Sequence, residues 1–276
     1  MVLGVALLAV ACGASPPAEP GPERETASAT SERSPGCRTG TFSAVARERR
    51  ERAGRTVLLD APAAPADRPM PLVLALHGFR SNPDDMREGT GLSELSRTEG
   101  VVVAYPEGHQ GVELLGTTGV GWDMRPDQTT DRDFLRALLD ELERERCIDR
   151  RRIYVTGMSN GGFLASLLGC QLADRLAAVA PVAGALDLGD CVPARPMPIL
   201  LLYGSADDVV PTDLIRRGVG WWVGRNACGA SGPSDGCTRW NGCSADVVAC
   251  EGPQGHRWPA DATARIWRFF AAHARP

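Results

Sequence analysis

A serine lies in a tight glycine-rich segment near the middle of the chain, Gly157-Met-Ser-Asn-Gly-Gly162. Residues 152–156 before it read as a short buried strand, and the apolar residues of 163–168 are spaced like one face of a helix. A strand that turns into a helix through Gly-x-Ser-x-Gly is a nucleophile elbow, which holds the serine hydroxyl above the sheet edge. Glycines are needed two residues either side, because larger side chains would collide with neighbouring backbone. Ser159 is therefore the candidate nucleophile for a covalent reaction in two steps.

Such a serine needs a general base, and the chain contains four histidines. His256 lies in a loop between the last predicted strand and the last predicted helix, a rigid setting that suits a catalytic imidazole. His77 closes a predicted strand, where an imidazole bonded to the backbone is the simpler interpretation. His109 and His273 are more simply explained by solvent exposure or core packing. His256 is therefore the candidate base.

A carboxylate has to orient the imidazole, and in chain order it is expected between the serine and the histidine. Asp207 and Asp208 follow a buried strand, and open α/β sheets place their sites at the carboxyl ends of strands. Both aspartates are candidates at this point. The other interpretation of either one is a helix cap ahead of Thr212.

Two N–H groups must also meet the negative charge that develops on the attacked carbonyl oxygen. Asn160 follows the serine at the start of the predicted helix, where backbone N–H groups have no partner in the helix. Phe79 follows the strand that ends at His77-Gly78, and its N–H is the second candidate. Because both donors belong to the main chain, the side chains of Phe79 and Asn160 are expected to be free to vary.

The elements that would position these residues are buried strands alternating with helices. Continuous apolar runs are typical of parallel strands covered on both faces. The alternation predicts an α/β fold with a doubly wound, mostly parallel sheet, helices on both faces and no large cap domain. Residues 109–130 are interpreted as loops, and Asp131 as the cap of the helix that follows them. The predicted strands are 55–59, 71–77, 101–105, 152–156, 176–182, 197–203 and 246–249, and the predicted helices cover 91–99, 131–142, 163–168, 214–223 and the segment after Pro259.

The first 36 residues lack the composition of a folded domain. Residues 2–11 are apolar and lead to Cys12, so we interpret residues 1–12 as a signal peptide with a lipobox and Cys12 as a site of lipidation. Residues 13–36 are rich in Pro, Ser, Ala, Glu and Thr and are predicted to form a disordered tether. The catalytic domain is then 37–276. Export would place the protein outside the cell or in the cell envelope, and only the lipid would touch a membrane.

Charge and cysteine content narrow the function further. A net charge of -4 over 276 residues gives no electrostatic footprint for nucleic acid. Eight cysteines follow Cys12, an even number that suggests disulfides in an exported chain. No Cys-x-x-Cys pair occurs and the histidines do not cluster near the cysteines, so no metal site is predicted.

Seven motifs follow one another in a recognisable order. They are Leu76-His-Gly-Phe79, Tyr105-Pro-Glu-Gly108, Asp131-x-x-Phe134, Gly157-Met-Ser-Asn-Gly-Gly162, Ala180-Pro-Val-Ala-Gly184, Gly204-Ser-Ala-Asp207-x-Val-Val-Pro211 and Gly255-His256-x-Trp-Pro259. Together they resemble the polyhydroxybutyrate depolymerase and feruloyl esterase-like family of secreted α/β-hydrolases, from about Cys37 to the C-terminus. The resemblance implies an α/β-hydrolase fold and a serine esterase that uses no cofactor.

The resemblance also assigns roles and disulfide pairs. By matching motifs, Ser159 is the nucleophile, Asp207 the acid and His256 the base. The family usually has proline after this aspartate, where the present chain has Asp208. Two disulfide pairs follow from the resemblance, and we add two more from the cysteines that remain. The implied pairs are Cys170–Cys191 and Cys228–Cys243, and the added pairs are Cys237–Cys250 and Cys37–Cys147.

The expected function is therefore hydrolysis of carboxylic esters by a monomer. Its substrate would be an oligo- or polyester, or a feruloylated or acetylated polysaccharide, and an acetylxylan or other plant cell-wall carbohydrate esterase is the alternative. Outside the esterases, the alternatives are a serine peptidase and a non-catalytic surface-binding lipoprotein. His77, Trp122 and Trp258 are candidates for substrate binding. The other interpretation of the tryptophans, including Trp221 and Trp222, is core packing.

Overall fold

A computed structural model describes Met1 and residues 32–37, 47–62, 68–114, 116–125 and 127–276. The predicted signal peptide beyond Met1, the lipidation site Cys12 and the tether up to residue 31 lie outside these ranges. The strands are β1 Arg47–Arg52, β2 Arg55–Asp60, β3 Met70–Leu76, β4 Val102–Pro106, β5 His109–Leu114, β6 Thr117–Gly121, β7 Ile148–Met158, β8 Ala178–Val182, β9 Ile199–Gly204, β10 Ser231–Ser234, β11 Cys237–Trp240 and β12 Val247–Gly252. The helices are α1 Pro83–Thr90, α2 Ser93–Thr98, α3 Thr130–Glu145, α4 Asn160–Gln171, α5 Thr212–Arg225 and α6 Ala262–Ala271.

The strands with continuous apolar runs form the middle of a large sheet. Its strand order is β1-β2-β4-β3-β7-β8-β9-β12-β11-β10. The central strands from β4 to β12 are parallel, whereas β1 and β2 at one edge and β11 and β10 at the other run antiparallel. The predicted doubly wound, mostly parallel sheet is confirmed.

Two apolar layers cover the sheet, one on each face. In β3, Leu72, Leu74 and Leu76 belong to one layer and Val73 and Ala75 to the other, because successive side chains of a strand point to opposite faces. Helices α3, α4 and α5 pack in the first layer, and α1, α2 and α6 in the second. The sequence suggested one apolar face for α4, but eleven of its residues are buried. This helix is therefore enclosed on all sides.

The segment 109–130, predicted as loops, contains the antiparallel hairpin of β5 and β6. Gly108 lets the base of the hairpin close, because a Cβ placed there would lie 2.1 Å from the carbonyl oxygen of Gly121. The prediction that Asp131 caps α3 is wrong, since the N-cap residue is Thr129. Asp131 is instead buried. Its carboxylate accepts hydrogen bonds from the Arg55 guanidinium and the Asp123 N–H, each at 2.6 Å.

The N-terminal boundary of the folded part also differs from the prediction. Residues 32–36 were assigned to the tether, but they pack beside the start of β7. The Ser34 N–H donates to the Ile148 carbonyl at 3.0 Å, and the Ser34 hydroxyl donates to the Arg146 carbonyl at 2.6 Å. Because Ser34 is buried and makes these hydrogen bonds to the backbone of the domain, this segment belongs to the domain.

Four disulfides are present in the described residues. Three of them join neighbouring segments of the C-terminal half, and the fourth fixes the N-terminal segment to the start of β7. The predicted pairs are confirmed: Cys37–Cys147, Cys170–Cys191, Cys228–Cys243 and Cys237–Cys250.

Candidate active site

Strand β7 and helix α4 meet at Ser159, whose backbone has φ 55° and ψ -118°. A positive φ is unfavourable for a residue with a Cβ, so the surrounding structure must hold this conformation. A Cβ on Gly157 would lie 2.4 Å from the Gly161 carbonyl oxygen, and one on Gly161 would lie 2.3 Å from that of Leu76. The glycines are thus required by close backbone contacts, and the strand–turn–helix geometry of a nucleophile elbow is present.

His256 and Asp207 form a hydrogen-bonded pair. The imidazole Nδ1 lies 2.8 Å from Asp207 Oδ2, and the carboxylate is fully buried. The other oxygen, Oδ1, accepts the N–H groups of Val209 and Val210 at 3.0 and 2.8 Å, which fixes the carboxylate plane. A neutral imidazole that donates from Nδ1 keeps its lone pair on Nε2, the nitrogen that a general base uses. Asp208, the other candidate, is exposed.

Sheet topology explains how these three residues meet. Ser159 follows β7, Asp207 follows β9 and His256 follows β12, and these strands are parallel. Their carboxyl ends therefore lie along one edge of the sheet. Ser159 and His256 line one cavity of about 270 Å³ there, with further walls from α1 and from Phe79 and Trp258.

The loop that carries the Phe79 N–H runs alongside the serine. A Cβ on Gly78 would lie 3.6 Å from the Cβ of Ser159. The loop is held from outside, since the Arg80 N–H donates to the Val120 carbonyl of β6 at 2.8 Å. Arg80 has a φ of 58°, so this contact supports a conformation that the residue would not adopt freely.

The Asn160 side chain has a structural role that the sequence did not reveal. It is buried, its Oδ1 accepts the Trp122 N–H at 2.7 Å, and its Nδ2 donates to the Trp122 carbonyl at 2.9 Å. The Trp122 indole N–H donates to the His77 carbonyl at 2.9 Å. The expectation that Asn160 is free to vary is therefore wrong. Trp122 has no exposed surface on which a substrate ring could stack, so that prediction is also wrong.

His77 lines the cavity of Ser159, and both of its ring nitrogens contact backbone groups. Its Nδ1 lies 2.7 Å from the Gly78 carbonyl, and its Nε2 accepts the Gly108 N–H at 2.9 Å. Both ring nitrogens are thus used by the backbone, and a role of His77 in substrate binding stays a prediction. Burial lowers the pKa of His77, against the raising effects of the Gly78 carbonyl and of nearby carboxylates such as Glu107.

The remaining tryptophans divide between cavity and core. Trp258 is partly exposed and lines the cavity of Ser159, so its role in substrate binding remains a prediction. Its indole N–H donates to the Thr263 hydroxyl at 3.1 Å, which joins the loop of His256 to α6. Trp222 is fully buried, and the Trp221 indole N–H donates to the Gly189 carbonyl at 2.9 Å.

Known proteins resemble this chain in sequence and in fold. The family model described as "Esterase PHB depolymerase" matches residues 56–217. The chain belongs to this family. It is 38% identical over 155 residues to "Putative esterase NocK" of Nocardia uniformis subsp. tsuyamanensis, which covers 55% of this chain and 44% of that protein. It is 36% identical over 151 residues to "Feruloyl esterase B" of Piromyces equi, covering 52% of this chain and 27% of that protein.

A solved structure supports the fold of this esterase-family chain. The "Acetyl xylan esterase from Aspergillus awamori" superposes with a TM-score of 0.64 at 14% identity, covering 82% of this chain and 98% of that one. Together with the parallel sheet, this likeness establishes the α/β-hydrolase fold. The chain spans less than half the length of each of the two relatives named above.

Two kinds of feature are absent from the part of the chain that the structure describes. No group of three or more His, Cys, Asp or Glu residues in it is arranged to hold a metal ion. None of its helices combines the length and the apolar composition needed to cross a membrane.

Proposed function

We propose that this member of the esterase family is an exported serine esterase that hydrolyses carboxylic esters through an acyl-enzyme, as a polyhydroxybutyrate depolymerase or feruloyl esterase does. The observation that carries the proposal is the His256–Asp207 pair, because the His256 imidazole lines the same cavity as the strained elbow serine. A nucleophile, a buried carboxylate and a base, in this order along the chain, are the parts that acyl transfer needs.

In the first step, Nε2 of His256 takes the proton of the Ser159 hydroxyl while the oxygen attacks the ester carbonyl. The N–H groups of Asn160 and Phe79 donate to the oxyanion, and loss of one such donor typically costs about 3 kcal/mol of transition-state stabilisation. Asp207 holds the imidazole in the required tautomer and stabilises its positive charge. His256 then gives the proton to the departing alcohol, which leaves an acyl-Ser159 ester.

In the second step, water attacks the acyl-enzyme. His256 removes a proton from the water, and the same two N–H groups stabilise the second oxyanion. The proton returns to Ser159 as the acid departs, so the protein is restored. No cofactor takes part in this sequence.

We also propose where the protein works and in what form. The four disulfides support export to an oxidising compartment. Residues 1–12 would act as the signal peptide, Cys12 would carry a lipid, and the following tether would hold a monomeric catalytic domain at the cell envelope. The partner of the domain would be an oligo- or polyester, or a feruloylated or acetylated polysaccharide.

The test is the Ser159→Ala protein. It should lose p-nitrophenyl acetate hydrolysis and labelling by a fluorophosphonate, because both require the serine hydroxyl. Ser231→Ala is the matched control, since this serine is exposed on the edge strand β10. Wild-type rates in the Ser159→Ala protein would refute the proposal, and so would a wild-type protein that the fluorophosphonate does not label.

Substrate choice is tested by assaying methyl ferulate, acetylated xylan and 3-hydroxybutyrate oligomers with the same preparation. A feruloyl or polyester esterase should turn over the first or the third compound with the highest kcat/KM. A highest value on acetylated xylan would favour the carbohydrate esterase alternative. Cleavage of peptide substrates without ester hydrolysis would indicate a peptidase.

A further inference from the structure

The cavity that Ser159 lines has two walls from segments that are distant in sequence. Helix α1 supplies Met86 and Thr90 to one wall, and the loop of His256 supplies Trp258 to the other. The strands that precede these segments are β3 and β12, and β7, β8 and β9 lie between them in the sheet. Because β3 and β12 are not paired with each other, the separation of the two walls depends on contacts outside the sheet.

One hydroxyl joins the two walls. Thr263, in the first turn of α6, accepts the Trp258 indole N–H at 3.1 Å and donates to the Thr90 carbonyl. Thr90 is the last residue of α1, where carbonyl groups have no partner within the helix, so its oxygen is open to an outside donor. Thr263 and Thr90 are 173 residues apart in sequence. The hydroxyl therefore connects three segments, which are α1, the loop of His256 and α6.

The two hydrogen bonds require a group that both accepts and donates. A threonine or serine hydroxyl does both, whereas valine, which has nearly the shape of threonine, does neither. Thr263→Val would therefore leave the Trp258 N–H and the Thr90 carbonyl without this partner. Thr263 is not among the residues that line the cavity, so its hydroxyl acts on a bound ester only through these two partners.

The position of the Trp258 ring determines the width of the cavity on that side. The ring is partly exposed and packs against the second apolar layer, which contains α6. The hydrogen bond to Thr263 holds the ring as a wall of the cavity, and without that bond the ring is free to turn towards solvent. The cavity, of about 270 Å³, is smaller than most sites for small molecules. A small displacement of the ring therefore changes which ester groups fit.

We propose that Thr263 is a positioning residue that sets the width of the Ser159 cavity and so selects esters by size. The inference rests on the esterase activity proposed above. With the hydroxyl in place, Trp258 and the end of α1 stay close together, and an ester with a short group in this cavity is preferred to one with a long alkyl group. Without the hydroxyl, the cavity widens beside Trp258 and long esters gain relative to short ones.

Two pairs of esters measure the width. The pair p-nitrophenyl acetate and p-nitrophenyl octanoate differs in the acyl group, and the pair ethyl butyrate and octyl butyrate differs in the alcohol. In Thr263→Val, the long-to-short ratio of kcat/KM should rise about 5- to 10-fold for at least one pair, beside the roughly 10-fold or more that one methylene group contributes in a tight pocket. Thr263→Ser keeps both hydrogen bonds and should stay within about 2-fold of wild type. A loss of stability alone would lower kcat/KM for both esters of a pair and leave their ratio unchanged.

Thr98→Val is the matched control. The Thr98 hydroxyl also donates to a carbonyl, that of Glu94 at 3.1 Å, but Thr98 does not line the cavity. This variant should keep both wild-type ratios. If Thr263→Val fails to fold, as judged by thermal melting, Thr263→Ala makes the same comparison.

Wild-type ratios for both pairs in a folded variant without the Thr263 hydroxyl would overturn the inference. An equal rise in Thr263→Ser would also overturn it, because the hydroxyl would then not be the cause. The comparison is repeated without turnover in the Ser159→Ala protein, where calorimetry gives the Kd of each ester with and without the Thr263→Val change. Esterase activity is judged separately, from p-nitrophenyl acetate hydrolysis by the wild-type protein. A protein without that activity can still show the change in Kd ratio, so failure of the proposed function and failure of this inference are distinguishable.

Discussion

Burial separates two adjacent aspartates that the sequence alone leaves nearly equivalent. The Asp207 carboxylate has no exposed surface, accepts two backbone N–H groups and meets the His256 imidazole. Asp208, one residue further, is exposed to solvent. A buried, fully bonded carboxylate holds an imidazole in one orientation, whereas an exposed one is screened by water and free to rotate.

The first prediction concerns these two carboxylates. Asp207→Asn should lower kcat for p-nitrophenyl acetate by about 10³- to 10⁴-fold, because an amide favours the wrong imidazole tautomer. Asp208→Asn is the isosteric control and should stay within about 2-fold of wild type, as exposed surface changes usually do. Steady-state kinetics at neutral pH measure both. Equal losses in the two variants would contradict the assignment of Asp207.

His77 leads to a prediction about pH and stability. Burial places its folded-state pKa below the unfolded value of about 6.5, so the unfolded chain binds more protons as the pH falls past that value. The folded state therefore has its full stability, as far as His77 is concerned, above about pH 6.5. It loses this part of its stability as the pH falls towards the folded-state pKa of His77. Urea unfolding between pH 5 and 8 should show a smaller pH dependence in His77→Gln than in wild type. The same pH dependence of the unfolding free energy in both proteins would contradict the prediction that His77 contributes to it.

The sequence pattern was sufficient to place two candidate residues at one edge of the sheet, and their catalytic roles stay predictions. Ser159 and His256 stand on elements whose apolar runs are visible in the sequence, so their common sheet edge followed from topology. Trp122 was expected to offer a stacking surface but is fully buried, because the same residue type serves a substrate or the core according to its burial. Whether a loop residue is buried depends on segments that are distant in sequence, so the local sequence pattern does not predict its burial.

At the scale of elements, the β5–β6 hairpin supports the loop that would form the oxyanion hole. It contacts the loop through the Arg80–Val120 hydrogen bond, and Trp122, the residue that follows β6, is hydrogen-bonded to the Asn160 side chain of α4. A Cβ on Gly119 would lie 2.6 Å from Cγ of Arg80, so the hairpin and the loop are in direct contact. Both N–H donors of the proposed mechanism are thus held by one element.

The next prediction tests this support. Asn160→Leu leaves the buried N–H and carbonyl of Trp122 without partners, so the hairpin should shift and the Phe79 N–H should lose its alignment. We expect kcat for p-nitrophenyl acetate to fall by about 10- to 100-fold with a smaller change in KM, as expected for an interaction made mainly in the transition state. Asn160→Asp keeps the acceptor for the Trp122 N–H, so its kcat should fall less than that of Asn160→Leu. A variant that melts like wild type and keeps full kcat would refute the role.

Elements were predicted to the extent that apolar runs identify them. The parallel strands carry such runs and were placed within a few residues. The hairpin was missed because β5 and β6 are largely exposed and rich in glycine, without the alternation that marks a strand. Its formation depends on close approaches at Gly108 and Gly121, which are long-range contacts. The charged edge strand β1 was missed for a similar reason, since its sequence Arg-Glu-Arg-Arg-Glu-Arg has no apolar residue.

At the scale of the molecule, one disulfide differs from the others in how much chain it encloses. Cys37–Cys147 joins residues 110 apart in sequence, whereas Cys228–Cys243 joins residues 15 apart. The first also fixes the N-terminal segment, including the buried Ser34, against the start of β7. The sequence analysis placed the end of the tether at residue 36, whereas residues 32–36 pack on the domain. Composition alone cannot reveal a short polar segment that is anchored by its backbone and one cysteine.

The last prediction compares these two disulfides. Cross-linking reduces the entropy of the unfolded chain more for a longer loop, by about 4.7 kcal/mol for 100 residues and about 3 kcal/mol for 15. Replacing both cysteines of Cys37–Cys147 by serine should therefore lower the free energy of unfolding by about 1 to 2 kcal/mol more than the same change at Cys228–Cys243. Urea unfolding of the two double variants measures the difference, and Ser159 reactivity with a fluorophosphonate checks that each remains folded. A larger loss at Cys228–Cys243 would mean that contacts in the folded state, rather than loop length, dominate the contribution of these disulfides.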